Sequence, residues 1–246
     1  VDRLDTCNHH TFSYAPSASL YILCKERARA QKFRWEDGVV LMGYSGRRQN
    51  LRYVREELHE IQKLYPDAML FVEQEATYET LKEISSRARI LHLAAHGEMA
   101  PQNPYLSYIE LASEEGKESP DAYLRLYDAA CLDLRQTDFV CLSACETAQL
   151  SDQAGDLLGL QWGFFHAGAN TLIANLWQVE ERSAARLMTL FYQKYSPEKS
   201  KSTALQEAQQ ALRHEGESYG ADAWQRRFVH PYFWGPFATY GFSGPL

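Results

Sequence analysis

The sequence predicts an α/β fold: one domain on a mostly parallel, twisted sheet with helices on both faces. Three observations carry this expectation. Short apolar runs alternate with helical patterns along the chain, the order that βαβ units produce. Several of those runs are apolar throughout, as strands covered on both faces read. The 246 residues are 45% hydrophobic, which suffices for one sizeable core.

The elements follow in order. Val39-Val40-Leu41-Met42-Gly43 reads as a first strand. Residues 50–65 place Leu51, Val54, Leu58, Ile61 and Tyr65 on one helical face. Pro66-Asp67 breaks that helix, and residues 68–72 give a second strand. Thr77 can cap a helix that turns Leu81, Ile84 and Ala88 inward. A third strand, Leu91-His92-Leu93-Ala94-Ala95, ends at His96-Gly97. Turn residues from Pro101 to Pro104 lead to a short strand around Tyr108-Ile109-Glu110-Leu111. The polar stretch from Ala112 to Pro120 reads as an exposed loop, and residues 123–131 as a short helix. Phe139-Val140-Cys141-Leu142 is a strand leading to Ser143-Ala144-Cys145. Residues 156–165 are apolar nearly all round, the mark of a buried helix. Residues 171–177 form another central strand. Two amphipathic helices follow, with Ala184, Leu187, Met188 and Phe191 inward on one and Ala204, Leu205, Ala208 and Leu212 on the other. The aromatic tail from Tyr232 to Phe237 leads into a last edge strand.

A net charge of −7 argues against nucleic acid as a principal partner, since phosphate binding needs a basic footprint. Gly46-Arg47-Arg48 is too short for one and reads as a solvated loop. No apolar run reaches the length of a membrane span, and no leader pattern opens the chain. The start at Val1 points to a fragment or processed chain, with residues 1–13 as an extension or linker and residues 14–246 as the domain. Five cysteines form no disulfide framework, so a reducing, cytoplasmic setting is expected. Cys24, Cys131 and Cys141 are expected in the core. Cys141 and Cys145 lack a second Cys/His pair at zinc spacing, so no metal or other cofactor is implied.

His96 and Cys145 are the residues that point to chemistry. Each follows an apolar strand, and the carboxyl ends of parallel strands are where an open α/β sheet holds its site. Either residue alone would be unremarkable; the two together, 49 residues apart, match the spacing of caspase-type proteases. A thiolate at Cys145 can attack an acyl carbon while His96 takes the thiol proton and returns it to the leaving amine. Gly97, which lacks a Cβ, and Cys145 itself would offer backbone N–H groups to the oxyanion. His92 reads as a satisfied core histidine and His166 as the end of a helix.

At these positions the chain resembles the CHAT domain, a caspase-like peptidase domain associated with tetratricopeptide repeats. His92-Leu93-Ala94-Ala95-His96-Gly97 and the run 103–107 resemble the family's histidine block, and 142–147 (Leu-Ser-Ala-Cys-Glu-Thr) its nucleophile block. Leu157–Leu160, Ala167-Gly168-Ala169, Asn175–Val179 and His230–Trp234 with Pro236-Phe237 resemble later blocks in the expected order, and Ala15–Leu20 resembles the amino-terminal edge. The resemblance implies a caspase-hemoglobinase-like fold with His96 as acid/base and Cys145 as nucleophile. Ala148 stands where a glycine is usual. Ser143, two before the nucleophile, replaces the Asp that metacaspases place in their specificity pocket.

The resulting expectation is a cysteine endopeptidase cleaving a protein partner, regulated by an upstream helical-repeat region or another partner. A catalytically idle CHAT interaction or assembly module is the alternative, and an acyltransferase or thioesterase using the same pair a remoter one. Asp152 and Asp156 are candidates for holding a basic substrate side chain, although Asp156 equally suits a helix cap.

Overall fold

The structure, a computed structural model, describes residues 10–31, 38–47, 51–98, 100, 103–113, 119–144, 160–218, 220 and 222–245. In chain order the main elements are β1 (Ser13–Tyr14), α1 (Ala18–Ala30), β2 (Val39–Gly43), α2 (Val54–Leu64), β3 (Met69–Val72), α3 (Tyr78–Ile84), β4 (Ile90–Ala95) and β5 (Gly97–Glu98). They continue with β6 (Tyr108–Glu110), β7 (Tyr123–Arg125), α4 (Leu126–Ala130), β8 (Phe139–Ala144), α5 (Leu160–Ala167), β9 (Thr171–Asn175), α6 (Glu181–Lys194), α7 (Lys201–Glu217), α8 (Pro231–Trp234) and β10 (Phe237–Gly241).

The main sheet has seven strands in the order β1-β10-β9-β8-β4-β2-β3. From β9 to β3 every pairing is parallel, and β10 runs antiparallel to β9. Every residue of β2, β4 and β9 is buried, which explains why those runs lack a polar alternation. The side-chain period of two still divides them between two cores. Leu91, Leu93 and Ala95 pack with residues of α1, α3, α4 and α5. Ile90 and Ala94 face the other way, toward α2, α6 and α7. The mostly parallel sheet with helices on both faces is therefore as the alternation implied.

Local chemistry sets the helix starts. Ser17, Thr77 and Ser200 each accept a backbone N–H from the first turn of α1, α3 and α7, leaving fewer amides unsatisfied. At α2 the cap comes from another element: the carboxylate of Glu181, at the start of α6, accepts the N–H of Tyr53. Gly43 allows the amino end of α2 to lie on the sheet. A Cβ there would come within 2.5 Å of Leu58 Cδ1 and 2.7 Å of Val54 Cγ1.

The structure departs from the sequence expectations in several places. Residues 123–125 form a strand, not helix, because Tyr123-Leu124-Arg125 alternates in burial and pairs with β6. With β5 these make a second, three-stranded antiparallel sheet. β10 is not the edge strand: β1 pairs parallel to its outer side, held by Ser13 Oγ donating to the carbonyls of Thr239 and Gly241. Cys131 is exposed rather than core, since it lies in the turn after α4, whose inward residue is Ala129. Ala112 and Ser113 are buried, with Ala112 bridged to Thr77, so the exposed stretch begins later than its polarity implied; residues 114–118 lie outside the described residues.

Candidate active site

β4 and β8 are adjacent parallel strands in the register Ile90↔Phe139 through Ala95↔Ala144. Ala144, the last described residue of β8, stands opposite Ala95, the last residue of β4. His96 follows Ala95 directly, and its backbone is fixed from two sides: its carbonyl accepts the N–H of Glu110 at 2.8 Å, and Gly97, which is buried, opens β5 opposite Ile109. The imidazole is half-buried, and its Nδ1 is shielded with no hydrogen-bond partner among the described residues. Cys145 is the residue after Ala144 in sequence. It lies outside the described residues, as do Asp152 and Asp156.

Beside these strand ends, on the α2 and α6 side of the sheet, a narrow slot of about 20 Å³ is bounded by Val54, Val179, Ala184 and Phe237, with Ser143 on its wall and Glu57 and Glu181 reaching it from the two helices. Burial pushes the Glu181 carboxyl up from its ordinary value against the pull of the Tyr53 N–H, and the nearby Glu57 carboxylate adds to the rise. Glu57 is 4% exposed. Its Oε1 lies 3.0 Å from Nε2 of the fully buried His92, whose Nδ1 is 3.1 Å from the Tyr192 hydroxyl. His92 is thus a core histidine with polar neighbours, as expected from its strand position.

A larger groove of about 190 Å³ lies farther along α2 and α6. Its two arginines are already engaged: Arg182 stacks 3.6 Å over the Trp224 ring, and Arg186 pairs with Glu215.

The buried thiols are poor nucleophiles. Burial pushes Cys24 up to about 11 and Cys141 well above its ordinary value, so both are protonated at neutral pH. Cys141 packs against the Met188 sulfur at 3.3 Å. Among the described residues no group of three or more His, Cys, Asp or Glu side chains could hold a metal ion, and no helix is long and apolar enough to cross a membrane.

The structure brings His96 and Gly97 to the end of the strand beside the one that leads to Cys145. Glu57 and Glu181 were missed by sequence reasoning. Glu57 carried a signal, since it sits between Val54, Leu58 and Ile61 on the apolar face of its helix. Glu181 carried none; an acidic residue in a first helical turn is ordinary.

The CHAT domain family model matches residues 6–242. A search of curated proteins returns no match. Among solved structures the chain is similar to separase in the Saccharomyces cerevisiae separase–securin complex, with a TM-score of 0.60 and 14% identity over 96% of this chain and 14% of that chain. It is also similar to Porphyromonas gingivalis RgpB in the complex of its pro- and mature domains, with a TM-score of 0.59 and 9% identity over 90% of this chain and 52% of that chain. The Arg-specific cysteine proteinase gingipain R gives a TM-score of 0.55 at 9% identity, over 92% of this chain and 52% of that chain. The chain therefore spans a small part of the separase chain and about half of the gingipain chains. At these identities the likeness concerns the fold alone, which is caspase-like. With the family model matched over nearly its whole length, the chain belongs to the CHAT domain family.

Proposed function

We propose that this chain is a cysteine endopeptidase acting on a protein partner, with Cys145 as nucleophile, His96 as general acid/base, and the amides of Gly97 and Cys145 as oxyanion donors. The observation that carries this reading is the register Ala95↔Ala144 between adjacent parallel strands. Neighbouring strands lie about 4.8 Å apart, and a peptide bond holds successive Cα atoms about 3.8 Å apart. His96 and Cys145 each follow one member of the Ala95↔Ala144 pair in sequence, which supports a thiol–imidazole pairing between them. Family membership and the caspase-like fold, which also carries a named cysteine proteinase, support the same reading.

In this mechanism the Cys145 proton passes to the His96 imidazole as sulfur bonds to the peptide carbonyl carbon. The imidazolium then protonates the departing amine, leaving a thioester. Water, deprotonated by His96, attacks that thioester, and the thiol is restored as the carboxylate leaves. Regulation by a region or protein outside residues 14–246, in a cytoplasmic setting, completes the proposal.

The test is turnover of a peptide or protein library by the wild type, Cys145→Ala and His96→Ala, with folding followed by circular dichroism. Both variants should fold and lose several orders of magnitude in rate. Wild-type turnover in Cys145→Ala would overturn the assignment.

A further inference from the structure

The slot beside the strand ends carries an inference that rests on the peptidase reading above and names its substrate class. We infer that this slot receives the side chain preceding the scissile bond, and that the preferred side chain is a long basic one, Arg or Lys, held by Glu181 with Glu57 behind it.

Position is the first argument. Ser143 and Ala144, on the slot wall, immediately precede Cys145 in sequence. The slot therefore lies beside the strand that leads to the nucleophile position. Shape is the second. A slot of about 20 Å³ holds about one water, so it admits the tip of a slender, unbranched side chain in place of that water. Val54, Val179, Ala184 and Phe237 supply apolar walls against which such a side chain packs while its charged head reaches a carboxylate.

Charge is the third argument. Glu181 accepts the Tyr53 N–H and forms no ion pair among the described residues; the exposed Arg52 acts on it only electrostatically. Glu57, although 4% exposed, has an Oε1 that takes no well-aligned hydrogen bond despite the nearness of His92. Burial raises the Glu181 pKa, and repulsion from the neighbouring Glu57 carboxylate adds to the rise. A guanidinium or ammonium group relieves both the repulsion and the burial through charge-assisted bonds. An acidic side chain would add a third negative charge. Ser143, short and uncharged, cannot supply the counter-ion, so the recognition charge comes from the helices rather than from β8.

The experiment measures kcat/KM on peptides that differ only in the residue before the cleaved bond: Arg, Lys, Leu, Met, Asp and Ala. The wild type should favour Arg and Lys over Leu by about tenfold or more. Glu181→Gln keeps an acceptor for Tyr53 and should lower that Arg-to-Leu ratio by about tenfold, mainly through KM. Glu56→Gln, on the exposed side of α2, should leave the ratio unchanged. Preferred cleavage after Leu, Met or Asp, or an unchanged ratio in Glu181→Gln, overturns this inference and leaves the peptidase reading standing. No cleavage of any peptide, with no modification of Cys145 by peptidyl thiol-directed probes, overturns the peptidase reading and this inference with it.

Discussion

Replacing Lys201 by Met should be among the most damaging single substitutions in the molecule, and its cost should depend on pH. The side chains of Lys201 and Asp138 are 1% and 2% exposed, with Nζ and Oδ1 2.6 Å apart. Nζ also donates to the Gly244 carbonyl at 2.9 Å, and the Tyr195 hydroxyl donates to Asp138 Oδ2 at 3.0 Å. Burial already pushes the Asp138 carboxyl up despite the pull of Lys201. Met fills nearly the same volume, so the main loss is the counter-charge. Stranding one member of a buried pair costs about 3–5 kcal/mol, which for a chain of this length lowers Tm by about 6–20 °C. The sign of the pH effect follows from the raised carboxyl. Below the ordinary Asp range the group is protonated in both folded and unfolded chains and costs nothing extra. As pH rises toward the folded-state pKa, the unfolded chain loses its proton first and the folded state is penalised. The deficit of Lys201→Met relative to wild type should therefore be small near pH 4 and full at pH 8 in urea titrations. Asp138→Asn combined with Lys201→Met should recover much of it. A deficit under about 1 kcal/mol at pH 8, or one independent of pH, would refute this account of the pair.

Two further outcomes follow from the same kind of reasoning. Cys141→Ala should cost about 1–2 kcal/mol in denaturant titrations through lost packing on Met188, with turnover unchanged because that thiol is buried and protonated. Burial alone would raise Glu73, but hydrogen bonds from Ser45 and Arg55 hold it below its ordinary value. The stability it contributes should be present above the unfolded carboxylate pKa and lost as pH falls through the lower folded one. Glu73→Gln should flatten that part of the acid-unfolding curve, and an unchanged curve would exclude the contribution.

The parallel sheet was legible because burial on both faces keeps its strands almost wholly apolar, as in Val39–Gly43 and, His92 apart, Ile90–Ala95. Those runs also located the candidate site, since the first polar residue after Ala95 is His96 and the first thiol after Ala144 is Cys145. Smaller elements were illegible for physical reasons. Helix α1 leaves Tyr21, Ile22 and Leu23 exposed opposite its buried Leu20 and Cys24, so the helical period is blurred. The strand at residues 123–125 runs straight into α4, and its apolar content reads as part of that helix. β1 is two residues long and paired by side-chain bonds to β10, a long-range contact that no local pattern announces. The slot beside the site was invisible for the same reason. Glu57 and Glu181 are brought together by the packing of α2 on α6, which Gly43 permits at the sheet.

The central claim is that His96 activates the thiol of Cys145, and the rate of alkylation at Cys145 as a function of pH tests it most directly. Modification by iodoacetamide can be followed site by site by mass spectrometry, with the exposed Cys131 as an internal reference. An imidazolium neighbour stabilises the thiolate, so Cys145 should remain reactive well below the ordinary thiol pKa of about 8.5. In His96→Ala its profile should move up toward that of Cys131. A Cys145 profile that matches Cys131 in the wild type, and does not move when His96 is removed, would contradict the account.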